Sequence, residues 1–237
     1  MKRYVIGDIH GRINALNQCF ERSKFDYNKD LLIVLGDVCD GGYNTYTVVE
    51  ELLKIKNLVF CLGNHDQWFM DHIASGWAEK IWLHQGGNNT LKSYGAIEHK
   101  NLNISIRKFL DTRGVNVPVT HQEFFNNHVL YYELDGMLFV HGGFDIRYPI
   151  TEQKKEVLLW DRELIWDARA REIRRYKKIF VGHTTTQLMN KMHDIVEPIH
   201  YHNLIMMDTG AGWNGKLSIM DIDTEEFWQS ERQKPAK

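Results

Sequence analysis

RYVIGDIHG (residues 3–11) stands near the start of the sequence. The same pattern of residue types occurs twice more, in LLIVLGDVCD (residues 31–40) and LVFCLGNHD (residues 58–66). Each stretch is an apolar run followed by a glycine and a cluster of polar residues. The apolar runs predict three buried β-strands, at residues 4–6, 31–35 and 58–62. Because the ends of neighbouring strands lie along one edge of a sheet, we expect the polar clusters to meet around a common ligand.

The segments between these strands have the apolar spacing of helices, at residues 13–20 and 46–54. Strand, helix, strand, helix, strand is the order of a parallel α/β core. The pattern weakens over residues 67–128, which we interpret as a helical insertion over the site, within a single domain of residues 1–237. For the tryptophans of this insertion, core packing is favoured over stacking on a nucleobase. They are Trp68, Trp77 and Trp82.

The second half of the chain predicts further strands that end in polar residues. Asp135-Gly136 is a two-residue hairpin signal, and the second strand of that hairpin runs into His141. Two later strands end close to His183 and Asp208. Thr151 is expected to cap a helix. The predicted strands cover residues 129–134, 137–140, 178–181, 204–207, 216–222 and 225–229, and the predicted helices cover residues 151–159 and 162–176.

The composition excludes several classes of protein. A formal net charge of −2 and a pI near 6.6 lack the excess of positive charge that is typical of proteins binding a long nucleic acid or an anionic membrane. The three cysteines form no Cys-x-x-Cys pair, which argues against a disulfide framework and for a reducing compartment. No run approaches the ~18 apolar residues of a membrane span, and the N-terminal residues leave no room for the apolar core of a signal peptide. We therefore expect a cytoplasmic protein.

The polar clusters contain ligands that suit divalent transition metals. Carboxylate and amide oxygens and imidazole nitrogens bind Mn, Fe, Zn or Ni, whereas thiolates select differently, so the cysteines are expected to be bystanders. Asp8 and His10 lie two residues apart and can project to the same side of a strand end. Asp37 has two carboxylate oxygens and could bridge a pair of ions. Two ions about 3.5–4 Å apart can stabilise both the attacking and leaving oxygens of a displacement at phosphorus, which indicates phosphoester hydrolysis.

In their order, these motifs resemble those of the calcineurin-like metallophosphoesterases, specifically the phosphoprotein phosphatase branch with its bacterial and phage serine/threonine phosphatases. The family pattern is G-D-x-H-G, G-D-x-x-D-R-G, G-N-H-[DE], a histidine after a strand, W-x-R-E and a final G-H. The corresponding stretches are residues 7–11, 36–42, 63–66, 140–143, 160–163 and 181–183. The resemblance extends over nearly the whole chain. It implies an α/β fold, a four-layer αββα sandwich of two mixed β-sheets flanked by helices.

The resemblance implies a centre of two divalent metal ions. Mn is the expected metal, and Fe, Zn and Ni are also compatible with these donors. The implied ligands of the first ion are Asp8, His10 and Asp37. Those of the second ion are Asp37, Asn64, His141 and His183. Asp208 resembles the family's closing D-T-G loop and is expected, at most, to orient a ligand histidine.

The resemblance also implies a general acid and a phosphate clamp. His65 would protonate the leaving oxygen, oriented by the carboxylate of Asp40. Arg162 and Asn64 would bind the substrate phosphate. Many generic members of the family end with a G-H-x-H motif, and Thr185 in place of the second histidine favours the phosphoprotein phosphatase branch.

One departure from the family affects the phosphate clamp. The D-R-G motif is replaced by Asp40-Gly41-Gly42, so one of the two arginines that grip phosphate is missing. A lost bidentate contact of this kind is worth roughly 1.5–3 kcal/mol. Gly41→Arg is expected to raise monoesterase activity if that corner is an unoccupied clamp. A cation from the insertion could instead fill the gap, or the substrate could be a larger diester or anhydride. The candidate cations are Lys92, Arg107 and Lys108.

The function predicted from these motifs is hydrolysis of phosphate esters by a hydroxide bound to a dinuclear metal centre. The favoured substrate is a phosphoserine or phosphothreonine protein, or a small phosphomonoester. The first alternative is a dinucleoside polyphosphate hydrolase or a nucleotide phosphodiesterase, which the missing arginine favours. The alternative from another class is a catalytically impaired metal- or phosphate-binding regulator, and the retained metal ligands and His65 argue against it.

Overall fold

A computed structural model describes residues 1–100, 108–189 and 196–234 of the chain. One five-stranded mixed sheet has the order β12-β11-β1-β2-β3. β1, β2 and β3 are parallel, as the three apolar runs predict, and β11 and β12 close the sheet as an antiparallel hairpin. The strands are β1 (Arg3–Ile6), β2 (Leu31–Val34), β3 (Asn57–Phe60), β11 (Ser218–Asp221) and β12 (Phe227–Gln229).

A second five-stranded mixed sheet has the order β6-β7-β8-β10-β9. β7, β8 and β10 are parallel, β6 pairs with β7 through the predicted Asp135-Gly136 hairpin, and β9 is an edge strand that the sequence did not predict. Its strands are β6 (Tyr131–Leu134), β7 (Met137–Val140), β8 (Lys178–Val181), β9 (Ile199–Tyr201) and β10 (Leu204–Met206).

Helices cover the outer faces of the two sheets. The first sheet packs against α1 and α2, and the second against α7 and α8. α1 ends where Lys24 adopts a left-handed conformation (φ 56°). The helices are α1 (Ile13–Ser23), α2 (Thr45–Leu52), α3 (Asn64–Ser75), α4 (Lys80–Trp82), α5 (Asn88–Ser93), α6 (Val119–Asn126), α7 (Lys155–Trp160), α8 (Glu163–Ala170) and α9 (Thr186–Met189).

The alternation of side chains along each strand creates three apolar layers. In β1, Tyr4 and Ile6 face the helices, while Val5 faces the other sheet. Between the sheets, the rings of Phe139 and Phe180 stack with centroids 4.9 Å apart. The fold is therefore helix, sheet, sheet, helix, which confirms the predicted four-layer αββα class. No helix within the described residues is long and apolar enough to cross a membrane.

The segment predicted as a helical insertion also contains strands. β4 (Ile97–Lys100) and β5 (Lys108–Asp111) form a two-stranded antiparallel sheet between α5 and α6. Of its tryptophans, Trp82 is buried in the core as predicted and Trp68 is partly buried, but Trp77 is 72% exposed. The prediction for Trp77 was therefore wrong.

Two helix boundaries also differ from the prediction. Thr151 lies in a short 3₁₀ turn (Ile150–Glu152) and does not cap α7, which begins after Lys154. The helix predicted to reach residue 176 ends at Ala170. There the side chain of Asn203 accepts from the backbone of Ile173 and donates to the carbonyls of Ile173 and Tyr176, replacing bonds that a helix would have made.

Candidate metal centre

The polar clusters meet where the parallel strands of both sheets end. Each of the side chains concerned follows a strand directly or after a short turn, and all are buried. Asp8 follows β1, Asp37 follows β2, Asn64 and His65 follow β3, His141 follows β7, His183 follows β8 and Asp208 follows β10. The fold thus brings together residues that the sequence predicts as metal ligands.

Two groups of potential metal ligands share one carboxylate. In each group the donor atoms lie within 4.8 Å of one another. The first group is Asp8, His10 and Asp37, and the second is Asp37, His141 and His183. The Oδ1 atom of Asn64 lies 2.9 Å from His141 Nε2 and 2.9 Å from His183 Nδ1, so this amide oxygen belongs with the second group. Asp37 lies where the two groups meet.

Backbone carbonyls fix the tautomers of two of the histidines. The Nδ1 atoms of His10 and His141 donate to the carbonyls of Cys39 and Leu35 at 2.8 and 2.7 Å. Because a carbonyl can only accept, Nδ1 carries the proton and the lone pair of Nε2 is available to a metal ion. Burial lowers the pKa of His10 to about 3 and that of His141 to about 4, so both rings are neutral at physiological pH.

The neutral tautomer of His141 leaves several lone pairs facing one another. Its Nε2 lies 2.9 Å from Asn64 Oδ1 and 3.5 Å from Asp37 Oδ1, with no proton on that nitrogen to share. Nε2 of His183 is buried without a hydrogen-bond partner. Nitrogen and oxygen lone pairs that converge in this way fit a divalent cation.

The carboxylates of the site also favour a cation. Burial, together with neighbouring carboxylates, raises the pKa of Asp8 well above its usual value, that of Asp37 to about 6 and that of Asp208 to about 7. Ionising these groups side by side is therefore costly without positive charge between them. Divalent cations would supply that charge. The described hydrogen bond of the Asp208 side chain is from the N–H of Gly210, not from a ligand histidine.

Asp66 supports the loops that carry the ligands, a role that the sequence did not reveal. One carboxylate oxygen accepts from the N–H groups of Val38 and Cys39 at 2.9 and 3.0 Å, and the other accepts from Gly63 at 3.1 Å. Asp66 thereby ties the start of α3 to the loop after β2. The family motif admits aspartate or glutamate at this position, but the motif alone does not indicate a structural role.

His65 and Asp40 form a buried pair beside the ligand groups. His65 Nδ1 donates to Asp40 Oδ2 at 2.5 Å, and His65 Nε2 lies 4.0 Å from Asp37 Oδ2. Burial would lower the pKa of His65, but the carboxylates of Asp37 and Asp40 outweigh it and raise that pKa to about 9. The imidazole is therefore held protonated, with Nε2–H directed to the site.

The Asp40 carboxylate has two further partners that the sequence did not predict. Trp82 Nε1 donates to Oδ2 at 2.9 Å, and Thr90 Oγ1 donates to Oδ1 at 2.7 Å. Both donors belong to the insertion and lie 42 and 50 residues from Asp40 in the chain. The polar end of Trp82 therefore contacts the site, in addition to its role in the core.

Arg162 lies at the edge of the site. Its guanidinium donates to Thr184 Oγ1 at 3.0 Å. Burial is the main cause of the raised pKa of Asp37 and of the lowered pKa of His183; the positive charge of Arg162 opposes the first shift and adds to the second. The side chain is exposed. Trp160, 43% exposed, packs edge-on to His183 with ring centroids 5.5 Å apart and forms part of the same rim.

A side chain at position 41 would be crowded and would need a strained backbone. Gly41 has φ +64°, a conformation unfavourable for other residues, and an added Cβ would lie 3.0 Å from His10 Cβ and 3.2 Å from Gly212 Cα. Of the cations considered as replacements, Lys92 pairs with Glu98 at 3.3 Å. Arg107 and the side chain of Lys108 lie outside the described part of the chain.

The family model of the calcineurin-like phosphoesterases matches residues 1–203 of this chain. The chain is 26% identical over 223 residues to serine/threonine-protein phosphatase 1 of Salmonella typhimurium, covering 92% of this chain and 91% of that protein. A symmetrical bis(5′-nucleosyl)-tetraphosphatase of Buchnera aphidicola is 39% identical over 67 residues, 28% of this chain and 24% of its own length. The crystal structure of a candidate diadenosine tetraphosphatase superposes with a TM-score of 0.66 at 15% identity, covering 98% of this chain and 93% of the other.

Proposed function

This chain belongs to the calcineurin-like phosphoesterase family and is a phosphoester hydrolase, and from that premise we propose that it is a phosphomonoesterase with two divalent metal ions. The proposed substrates are phosphoserine and phosphothreonine proteins or small phosphomonoesters, and the proposed metal is Mn. The observation that carries the proposal is the pair of ligand groups that share Asp37, with His65 beside them.

The proposed ligands divide between the two ions as the groups do. Two divalent ions held there would act as Lewis acids on the phosphoryl oxygens and lower the pKa of water. The ligands of the first are Asp8, His10 and Asp37, and those of the second are Asp37, Asn64, His141 and His183.

The remaining residues of the site bind the substrate and move a proton. Arg162 is proposed to hold the phosphoryl group by charge-assisted hydrogen bonds, with the Asn64 amide beside it. His65 donates the proton of Nε2 to the leaving oxygen, and the Nδ1–H bond to Asp40 fixes the ring and stabilises its charge. Burial raises the pKa of the Cys39 thiol well above its usual value, which argues against a thiolate nucleophile. We therefore propose direct attack by water, without a phosphoenzyme.

The choice of a phosphoprotein substrate rests on the full-length similarity to a serine/threonine-protein phosphatase. A second candidate is hydrolysis of dinucleoside polyphosphates. The glycine at position 41 favours it, because the arginine that would grip a monoester is missing there. The shorter similarity to tetraphosphatases, which is confined to 67 residues, gives it weaker support.

The proposal is tested by steady-state hydrolysis with metal-stripped protein to which Mn, Zn or Mg is added. The substrates are p-nitrophenyl phosphate, bis-p-nitrophenyl phosphate, a phosphoserine peptide and diadenosine tetraphosphate. Asp37→Asn is the inactive variant. Asp30→Asn is its control, because Asp30 is a buried aspartate at the opposite end of β2 whose described hydrogen bonds come from the backbone N–H groups of Lys2 and Asp26.

Preference for the monoester and the phosphopeptide, lost in Asp37→Asn and kept in Asp30→Asn, is the expected result. Faster hydrolysis of diadenosine tetraphosphate would favour the second candidate. An Asp37→Asn variant as active as the parent would refute the shared-ligand arrangement.

A further inference from the structure

Three hydrogen-bond donors surround the carboxylate of Asp40, which is fully buried. Oδ2 accepts from His65 Nδ1 and Trp82 Nε1, and Oδ1 accepts from Thr90 Oγ1. The hydroxyl of Thr90 in turn accepts from the N–H of Asp40 at 2.8 Å and lies 3.2 Å from Thr45 Oγ1. Trp82 and Thr90 therefore hold both oxygens of the residue that orients His65.

The chain between these two donors is shaped to reach Asp40. Gly86 has φ +111°, and an added Cβ would lie 2.5 Å from the backbone nitrogen of Gly41. At Gly87 an added Cβ would lie 2.5 Å from the indole ring of Trp82. The amide of Asn89 donates to the carbonyl of Gly41 at 2.8 Å. We call residues 82–90 the Asp40 clamp, because they bind both the carboxylate of Asp40 and the backbone of the next residue, Gly41.

We propose that Trp82 and Thr90 are positioning residues for the general acid, acting through Asp40 on His65. The inference rests on the proposed function, in which His65 protonates the leaving oxygen. A carboxylate fixed at both oxygens cannot turn, so the ring bonded to it keeps Nε2–H directed at the substrate. Without the clamp, Asp40 can rotate about its side-chain torsions, and the imidazole follows it.

Trp82 and Thr90 lie in the insertion, outside the metal-ligand motifs. Trp82 contributes a rigid, buried indole that packs near the rings of Phe69 and His72, so its N–H has a fixed direction. Thr90 lies on α5, which packs against α2. The general acid is thus supported by the body of the insertion as well as by the sheet edge.

Substrates with different leaving groups distinguish a positioning role of Trp82 and Thr90 from a purely structural one. An acidic leaving group departs without much help from a general acid, whereas a poor one depends on protonation. p-Nitrophenyl phosphate has the better leaving group. The phenol released by phenyl phosphate resembles the tyrosine side chain, with a pKa of about 10. The two substrates are otherwise alike, so binding differences are small.

The test compares Thr90→Val and Trp82→Phe with the parent protein, all three loaded with Mn. We expect kcat for phenyl phosphate to fall roughly tenfold, a part of the ~10²–10⁴-fold that a general acid contributes, while kcat for p-nitrophenyl phosphate falls less than about threefold. KM should stay within about twofold for both substrates. Thr90→Ser, which keeps the hydroxyl, should restore the parent values.

Two controls isolate the path through His65. Tyr94→Phe removes a buried hydroxyl bond to His121 in the same insertion without touching Asp40, and it should not change the ratio of the two rates. In a His65→Asn background, Thr90→Val should have no further effect on kcat, because the imidazole through which Thr90 acts is already absent. Circular dichroism and metal content are measured for every variant.

Equal losses on both substrates, or an effect of Thr90→Val that persists without His65, would overturn the inference. If the parent hydrolyses neither monoester, the proposed function has failed, and the ring ¹⁵N signals of His65 then decide the positioning role. Those signals should shift or broaden in Thr90→Val and stay unchanged in Tyr94→Phe. Unchanged signals in both variants would overturn the inference independently of activity.

Discussion

Gly63→Ala should disable the proposed metal centre through one added methyl group. Gly63 precedes α3 and has an extended backbone (φ −96°, ψ 165°), which alanine adopts without strain. Its added Cβ, however, would lie 2.1 Å from Asp37 Oδ1 and 2.2 Å from Asp37 N. The cost therefore falls on the carboxylate that both ligand groups share.

The size of the effect follows from these distances. Ordinary contact begins near 3.4 Å, so Asp37 Oδ1 and the Cβ must separate by about 1.3 Å. Metal sites tolerate ligand shifts of about 0.2 Å, and a misplacement of about 1 Å can cost 10²-fold in rate. We expect kcat/KM to fall about a hundredfold, with Mn affinity reduced at least about tenfold. Overpacking should cost about 1–3 kcal/mol of unfolding free energy, or roughly 3–10 °C in Tm.

The matched control lies at the other end of the same helix. Gly76 ends α3 with φ +69°, and an added Cβ there meets nothing within 4 Å. Gly76→Ala should cost about 1 kcal/mol for its left-handed backbone and leave metal binding unchanged. The assays are thermal unfolding without metal, calorimetric titration with Mn, and hydrolysis of p-nitrophenyl phosphate. If Gly63→Ala binds Mn and turns over within threefold of Gly76→Ala, the reasoning from the Cβ contact is wrong.

Three further predictions concern the site. His65→Asn should cut kcat by about 10²-fold or more while Mn content by elemental analysis stays at the parent level; loss of the metal would contradict its assignment as an acid rather than a ligand. Gly41→Arg should lower Tm and give no gain in monoesterase rate, because a left-handed backbone and contacts with His10 and Gly212 would strain any side chain there and shift His10; a gain would show that the turn adjusts to the arginine. Mn affinity should rise with pH through about 6 and continue to rise above it, because burial raises the pKa of Asp37 to about 6 and that of Asp8, another proposed ligand, well above its usual value, so that protons compete with the cation for both; titrations in two buffers should detect the released protons, and a flat profile would contradict these shifts.

The strand prediction succeeded where the signal was local. Residues 4–6, 31–35 and 58–62 are continuous apolar runs because the strands they predict, β1–β3, are covered by helices on one face and by a second sheet on the other. The pairing of strands into two sheets came from the resemblance to a family. Pairing depends on contacts such as Cys61 with Val129, which the spacing of apolar residues cannot reveal.

The parts of the site that sequence reasoning missed depend on contacts between distant segments. Core packing was predicted for Trp82 because the insertion needs a small core of its own, and only the fold shows that its N–H also reaches Asp40, 42 residues away. Likewise, the charged pattern up to residue 176 predicted a longer helix, because no local signal shows that Asn203 binds that backbone. Side chains that support other side chains carry little periodicity of their own, so motifs reveal ligands more readily than their supports.

The backbone of the ligand loops explains why these motifs are rich in glycine and aspartate. Among the described residues, eight non-glycine residues have positive φ, and four of them belong to the site: His10, Asp37, Asp40 and His183. Aspartate and histidine tolerate this conformation better than most residues, but it still costs about 1 kcal/mol or more at each position. Bonds among the site residues themselves offset that cost. The carbonyl of Asp37 accepts from the N–H of His10 at 2.8 Å, and the carboxylate of Asp8 accepts from the N–H of His183 at 3.1 Å. Each of these loops is therefore hydrogen-bonded to another, so the fold itself fixes the positions of the donor atoms. A substitution that displaces one loop should displace donor atoms in both ligand groups.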